Sequence, residues 1–317
     1  MKFPRDIPAS VRQRLLNRAK RDRRPFNELL QYYAMERFLY RLSQSAHAGR
    51  FILKGALMLK VWRSPEFRPT LDIDMLGRTS NEEADIIAQI RDILTVEVEA
   101  DGLVFGPDSI RAERIAEDAD YEGIRIRFLG VLGSARINMQ IDIGFGDVVY
   151  PEPEEAELPT MLDSPAPRLL CYSRESAIAE KLEAMIKLGV LNSRMKDFYD
   201  IWLLSRQFDF AGAELVKAVR LTFERRCTVL PAKIEAFTEP FISAKQTQWA
   251  AFWKRLGQDP VPASFGDIVA QVDGFLSPIV APLSSGKPNP IKWTAPGPWA
   301  GAGGFPGGFG EILEHEE

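Results

Sequence analysis

The chain is short of the side chains that most often carry chemistry: its 317 residues include two histidines, His47 and His315, and two cysteines, Cys171 and Cys227. Two cysteines cannot form a disulfide framework, and with so few histidines a Cys/His zinc site is not expected. A histidine-based triad would rest on His47 or on His315 in the tail, so the chemistry falls to carboxylates, lysines and metal. Long apolar runs are absent too. No stretch is long and uncharged enough to span a bilayer, and Met1-Lys2-Phe3-Pro4-Arg5-Asp6 has no apolar signal region, so the expectation is a cytoplasmic protein that keeps its thiols reduced and does not meet a membrane.

What the chain does have is Arg68-Pro69-Thr70-Leu71-Asp72-Ile73-Asp74-Met75-Leu76. As a strand, this places Thr70, Asp72 and Asp74 on one face and Leu71, Ile73 and Met75 on the other. Alternate side chains stand about 6.6 Å apart, so two carboxylates at that spacing can converge on a hard cation such as Mg²⁺. The alternative is a pair of solvated acids on an edge strand, which the apolar flanks oppose. Just upstream, Phe51-Ile52-Leu53 leads through Lys54-Gly55 into a helix over Ala56–Trp62. Strand, glycine turn and helix together aim free backbone N–H groups at a phosphate, and Gly55 has no Cβ to block the approach.

In sequence order, Lys54-Gly55-Ala56 and Asp72-Ile73-Asp74 resemble the glycine turn and metal dyad of polymerase-β-type nucleotidyltransferases. More narrowly, the chain resembles the AbiEii/AbiGii toxin family in Phe51–Ala56, Arg68–Asp74, Ile141–Asp147, Ala179–Ala184 and Arg194–Asp200. The resemblance covers roughly residues 5 to 280. It implies an α/β (α+β) nucleotidyltransferase core with a mixed sheet, and a toxin of a toxin–antitoxin or abortive-infection pair. It also implies Mg²⁺ or Mn²⁺ as cofactor, a nucleoside triphosphate and RNA (tRNA 3′ ends) as substrates, and a cognate antitoxin as partner. One departure stands out: many superfamily members carry Gly-Gly or Gly-Ser in the turn where this chain has Gly55-Ala56. A hydroxyl is missing there, so backbone amides or Thr70 would have to replace its contact to phosphate.

The remaining site candidates follow. A third carboxylate is needed beside the attacking hydroxyl, and Asp142 in Met139-Gln140-Ile141-Asp142-Ile143 fits, with Asp147 second and more simply read as a turn former. Asp72, Asp74 and Asp142 are thus the expected metal and catalytic acids. Lys181 lies beside Ile178 and Met185 on a helix, placed to reach a triphosphate or to snorkel at the surface. Lys54, Gly55, Ala56, Thr70 and Lys181 are the expected nucleotide contacts. Asp197 and Asp200 share a helix face and either meet the nucleotide or orient Lys181 or Lys196, with ion pairs Arg194–Asp197 and Lys196–Asp200 permitted by spacing.

Charge is unevenly spread behind a net −4: residues 1–50 hold twelve lysines and arginines against four acids. Arg18, Lys20, Arg21, Arg23 and Arg24 are therefore candidate RNA contacts, or simply a solvated helix face. Four regions are expected: basic N-terminal helices over 1–45 (Ala9–Ala19 and Phe26–Ser43), an α/β core over 46–165, a helical region over 166–282, and a Gly/Pro-rich tail over 283–317. In the core, Ser80-Asn81-Glu82-Glu83 reads as a capping box for a helix to Leu94, followed by strands near Val96–Val98, Ile110–Ile115, Ile124–Phe128 and Ile137–Ile143. Helices are expected over 175–188, 194–206, 213–225, 234–241, 246–256 and 265–275. Glycine's entropy cost makes the tail extended or disordered, dispensable beyond Ser285. Transfer to a protein or small molecule, and a non-catalytic nucleic-acid-binding regulator, are the alternatives to transfer onto RNA.

Overall fold

The structure is a computed structural model that describes residues 6–64, 68–118, 121–231, 233–257, 261–285 and 288–301. Asp6 caps α1 (Ile7–Asp22) by accepting from the Ala9 amide at 3.0 Å, and Arg23 ends it in the left-handed region. Helix α2 (Phe26–Ser43) buries an apolar stripe that includes Leu29, Tyr33, Phe38 and Leu42. It also buries Arg41, which Asp101 neutralises at 2.6 Å. Next come β1 (Phe51–Lys54), a tight turn over Gly55–Leu57, the single-turn α3 (Met58–Val61), β2 (Ile73–Gly77) and α4 (Glu83–Leu94).

A meander of β3 (Leu103–Asp118), β4 (Tyr121–Leu132) and β5 (Ala135–Phe145) follows, then β6 (Glu154–Glu157) and β7 (Arg168–Cys171). These strands form one sheet in the order β3-β4-β5-β2-β1-β7-β6. The pairs β2/β5 and β1/β7 are parallel and the rest antiparallel, so the sheet is mixed and the fold α/β, as expected. Helices α5 (Arg174–Leu188) and α6 (Met195–Gln207) open the second half. They are followed by β8 (Phe210–Ala211), α7 (Gly212–Arg225), α8 (Glu239–Leu256), α9 (Phe265–Ser285), β9 (Lys292–Trp293) and β10 (Trp299–Ala300). Apolar side chains gather in two clusters. One joins α1, α2 and α4 to the large sheet, and the other joins α5 to α9, taking in Leu59 from α3.

Several elements differ from expectation. Val96–Val98 is not a strand: its valines are half-buried, but no neighbouring strand takes up its backbone. Ser80 does not cap a helix; its hydroxyl accepts from the Glu82 amide, and α4 starts at Glu83. In place of separate helices over 234–241 and 246–256 there is a short 3-10 turn and then the continuous α8, capped by the Thr238 hydroxyl. Helix α9 runs on through Pro278 and Pro282.

The largest correction concerns the tail. Residues 288–301 are built into the helical half, where β9 pairs with β8 and β10 pairs with β9. Trp293 and Trp299 are 5% and 6% exposed, and Trp299 stacks on Phe275 with ring centres 5.6 Å apart. Both indole N–H groups reach backbone carbonyls, of Ser205 at 2.6 Å and of Phe275 at 2.8 Å. Glycine and proline composition hid two aromatic anchors. The rest of the expected tail, 302–317, lies outside the described residues.

Candidate active site

Strand register assembles the site. Lys54 on β1 stands opposite Asp74 on β2, Asp74 opposite Asp142 on β5, and Asp142 opposite Arg125 on β4. Hydrophobic alternation pins this row: Ile73, Met75, Ile141 and Ile143 are all buried, and a one-residue slip would turn them to the other face. The row runs cation, acid, acid, cation, so two carboxylates are neighbours at its centre. Asp72 precedes β2, in a bend, where the Thr70 hydroxyl donates to its carboxylate. The bend also exposes Leu71, at 66%, where strand alternation would have buried it. Asp72, Asp74 and Asp142 nonetheless converge, with one carboxylate oxygen from each lying within 4.8 Å of the others. An all-oxygen, triply acidic donor set suits a hard divalent cation.

Burial, with the charge of Asp72 second, raises the Asp74 pKa to about 6, against the opposing pull of Lys196, Lys54 and Arg68. Gly55 is required by this carboxylate. Its φ is +73°, and a Cβ there would lie 1.9 Å from Asp74 Oδ2. The turn over Gly55–Leu57 and the four-residue α3 are too short to present a helix dipole, so only local amides are available to an anion at this point. Ala56 is buried. Asp142 is gripped by Arg125 through paired bonds, Nε to Oδ1 and Nη2 to Oδ2, both 2.7 Å.

Beyond Asp74 lies a cavity of about 90 Å³ edged by Lys54, Arg68, Lys181, Lys196 and Arg226. Buried acids hold most of these cations. Lys54 meets Asp147 at 3.2 Å and Glu180 at 3.0 Å, and Arg226 bridges Asp147 at 3.0 Å and Glu183 at 2.8 Å. Lys181 lies 3.2 Å from Asp200 and 3.6 Å from Asp197, while Arg68 grips Asp200 with two bonds. Burial works to raise the Asp200 pKa, but Arg68 and Lys181 outweigh it and hold the group below its ordinary value. Glu180 goes the other way, its pKa raised by burial and by Asp147 despite Lys54 and Arg226.

Of the expected residues, Lys54, Gly55, Asp74, Lys181, Asp197 and Asp200 line this cavity, with changed partners, while Asp72 and Asp142 meet Asp74 beside it. Asp197 and Asp200 sit buried behind Lys181 and Arg68, where they orient cations. The Arg194–Asp197 pair forms at 2.6 Å. Lys196 is exposed and lines the cavity; the partners of Asp200 are Arg68 and Lys181, so the Lys196–Asp200 pair permitted by spacing is replaced. Asp147, the second candidate for the third carboxylate, has its side chain buried between Lys54 and Arg226, which it bridges. Arg68, Arg125, Glu180 and Arg226 were not anticipated from sequence. Glu180 is adjacent to Lys181 in the chain, but nothing local marks Arg226.

The basic N-terminal segment is partly neutralised. Arg18 and Arg21 share Asp22, at 3.1 and 2.9 Å, and Arg24 pairs with Glu28 and lies 5.4 Å from the centre of the Tyr32 ring. Lys20, Arg21 and Arg23 remain exposed. Among the described residues no helix is long and apolar enough to cross a membrane, and both cysteines are free.

A family model described as "Nucleotidyl transferase AbiEii toxin, Type IV TA system" matches residues 37–271, which takes in every residue of the row and the cavity. No curated protein matches. Two solved structures from Helicobacter pylori are similar at low identity. One, described as a nucleotidyltransferase candidate, is 13% identical with TM-score 0.40, covering 77% of this chain and 93% of that one. The other, JHP933, is 11% identical with TM-score 0.38, covering 77% and 91%.

Proposed function

The chain belongs to the AbiEii nucleotidyl transferase toxin family of type IV toxin–antitoxin systems, and we propose that it transfers a nucleotide from a nucleoside triphosphate to an RNA acceptor such as a tRNA 3′ end. The observation that carries this reading is the row itself: adjacent carboxylates at its centre, flanked by a cavity of held cations. A cognate antitoxin would restrain the activity in the cell.

Asp72, Asp74 and Asp142 would hold Mg²⁺ or Mn²⁺. When bound, the ion would supply electrostatic stabilisation of charge developing on the phosphate oxygens. The acceptor hydroxyl oxygen forms a bond to the α-phosphorus, the bond to the bridging oxygen breaks, and pyrophosphate leaves. Asp142, on the β5 side, orients the hydroxyl and takes its proton, while Arg125 fixes the direction of that carboxylate. Lys54, Lys181, Lys196 and Arg226 face the β- and γ-phosphates and the leaving pyrophosphate. The buried acids behind Lys54, Lys181 and Arg226 keep these three cations in place before the nucleotide arrives, so less ordering is left to do on binding.

Lys181→Ala should then weaken triphosphate binding and slow transfer by on the order of 10²-fold, the scale of losing one such stabilising group. Lys181→Arg should recover only part of this, because a guanidinium places its charge differently. Equilibrium binding and single-turnover rates check both. Wild-type affinity and rate in Lys181→Ala would remove this residue from the site.

The RNA partner is tested through the three exposed residues of the basic cluster between Arg18 and Arg24. Replacing Lys20, Arg21 and Arg23 with Gln should weaken RNA binding and flatten its salt dependence, since fewer counterions are released. Arg18→Gln and Arg24→Gln should lower thermal stability instead, through loss of contacts to Asp22, Met161 and Glu28. An unchanged salt slope in the triple variant would direct the search to a protein or small-molecule acceptor.

A further inference from the structure

The cationic cavity is too small for a whole nucleotide. Its volume of about 90 Å³ falls well short of the roughly 300–1,000 Å³ of pockets that enclose small organic ligands. A second hollow, of about 730 Å³, adjoins it and shares Arg68, Arg194 and Lys196 as the common wall. This groove lies between the start of α6 and the last turns of α8, and its floor is apolar, built from Pro69, Met195, Ala251 and Phe252. The Phe252 ring is held by Tyr199 and Trp249, with centres 5.7 and 5.4 Å away, so a flat face is fixed in place before any ligand arrives. Exposed Gln248 and Ser193 offer hydrogen-bonding groups at its edge.

We propose that this groove is the subsite for the base and ribose of the donor nucleotide, whose triphosphate lies in the adjoining cavity. The inference rests on the nucleotidyltransferase reading and adds the place where the nucleoside is recognised. Charge and size assign the occupant. A ligand with phosphates at one end and a flat, largely apolar ring at the other matches a cationic cavity opening past Arg68 and Lys196 onto an aromatic floor. The acceptor is excluded by position: Asp142 and Arg125, which serve its hydroxyl, line neither hollow and stand across β2 on the β5 and β4 side.

The test compares, on the full chain with Mn²⁺ and no RNA, the affinity for each nucleoside triphosphate with that for inorganic tripolyphosphate. Wild type should prefer at least one nucleotide over tripolyphosphate. Ala251→Trp fills the groove from an exposed position that does not threaten the fold, and Phe252→Leu removes the ring face while keeping apolar bulk. Each should lower nucleotide affinity by on the order of ten- to a hundred-fold, the scale of one lost base–aromatic stack, and leave tripolyphosphate affinity unchanged. Lys181→Ala should weaken both ligands. A wild-type preference ratio of one, or a ratio left unaltered in either groove variant, overturns the subsite while the phosphate cavity stands. Failure of wild type to bind either ligand overturns the nucleotidyl-transfer reading and the subsite with it.

Discussion

Asp74→Asn is expected to abolish nucleotide transfer, by at least 10³-fold, while making the metal-free protein more stable at neutral pH. The first effect follows from position: Asp74 is the central acid of the row, in register with Lys54 on one side and Asp142 on the other. The second follows from its pKa of about 6, raised by burial and then by Asp72. In the unfolded chain the group titrates near the ordinary aspartate value, so between about pH 4 and pH 6 the folded protein holds the extra proton and stability falls as pH rises. The penalty is absent below about pH 4 and complete above about pH 6. It amounts to on the order of 3 kcal/mol, which the asparagine variant avoids. Thermal melts without metal should therefore show the variant ahead of wild type at pH 7.5 and level with it at pH 4. Divalent cation should stabilise wild type and leave the variant unmoved. A variant that melts lower than wild type at pH 7.5 would give Asp74 a structural role in place of the metal role.

Ending the chain at Ser285 should have the largest effect on folding. It removes Trp293 and Trp299, the ring stack on Phe275, and the strands β9 and β10 that extend the small sheet from β8. Truncating one buried tryptophan typically costs about 3–5 kcal/mol, and losing two is comparable to the whole stability of a domain, about 5–15 kcal/mol. Urea denaturation followed by tryptophan fluorescence and circular dichroism should show the helices α5 to α9 unfolded in the truncated chain in dilute buffer. Wild-type denaturation of that chain would mean the two tryptophans contribute little. Trp299→Ala alone should shift the midpoint in the same direction, by about half as much.

Where sequence reading succeeded, local periodicity and side-chain chemistry spoke together. Helix α2 falls on its expected limits because a helical stripe from Leu29 to Leu42 admits one solution, and Ile141 and Ile143 fix the face on which Asp142 must emerge. The convergence of Asp72, Asp74 and Asp142 was legible for that reason, although Asp72 reaches the site from a bend. What sequence could not supply was pairing over long separations. Lys54 and Arg226 share Asp147, and Arg68 shares Asp200 with Lys181; no spacing rule connects residues so far apart. Spacing permitted a Lys196–Asp200 pair, but a bidentate arginine from another loop takes Asp200 and leaves Lys196 to the cavity. The tail misled for a different reason: composition averages over residues, and two buried indoles outweigh many glycines.

Nucleotidyl transfer by the carboxylate row can be followed through both of its products at once. The protein is incubated with total RNA, Mg²⁺ and each nucleoside triphosphate labelled at the α-phosphate, while pyrophosphate release is followed in parallel. Wild type should label an RNA species with at least one nucleotide, in step with pyrophosphate, and Asp74→Asn or added chelator should reduce both to background. Label and pyrophosphate undiminished in Asp74→Asn, or no transfer from any nucleotide by the folded wild type, would mean that the row does not carry nucleotidyl transfer.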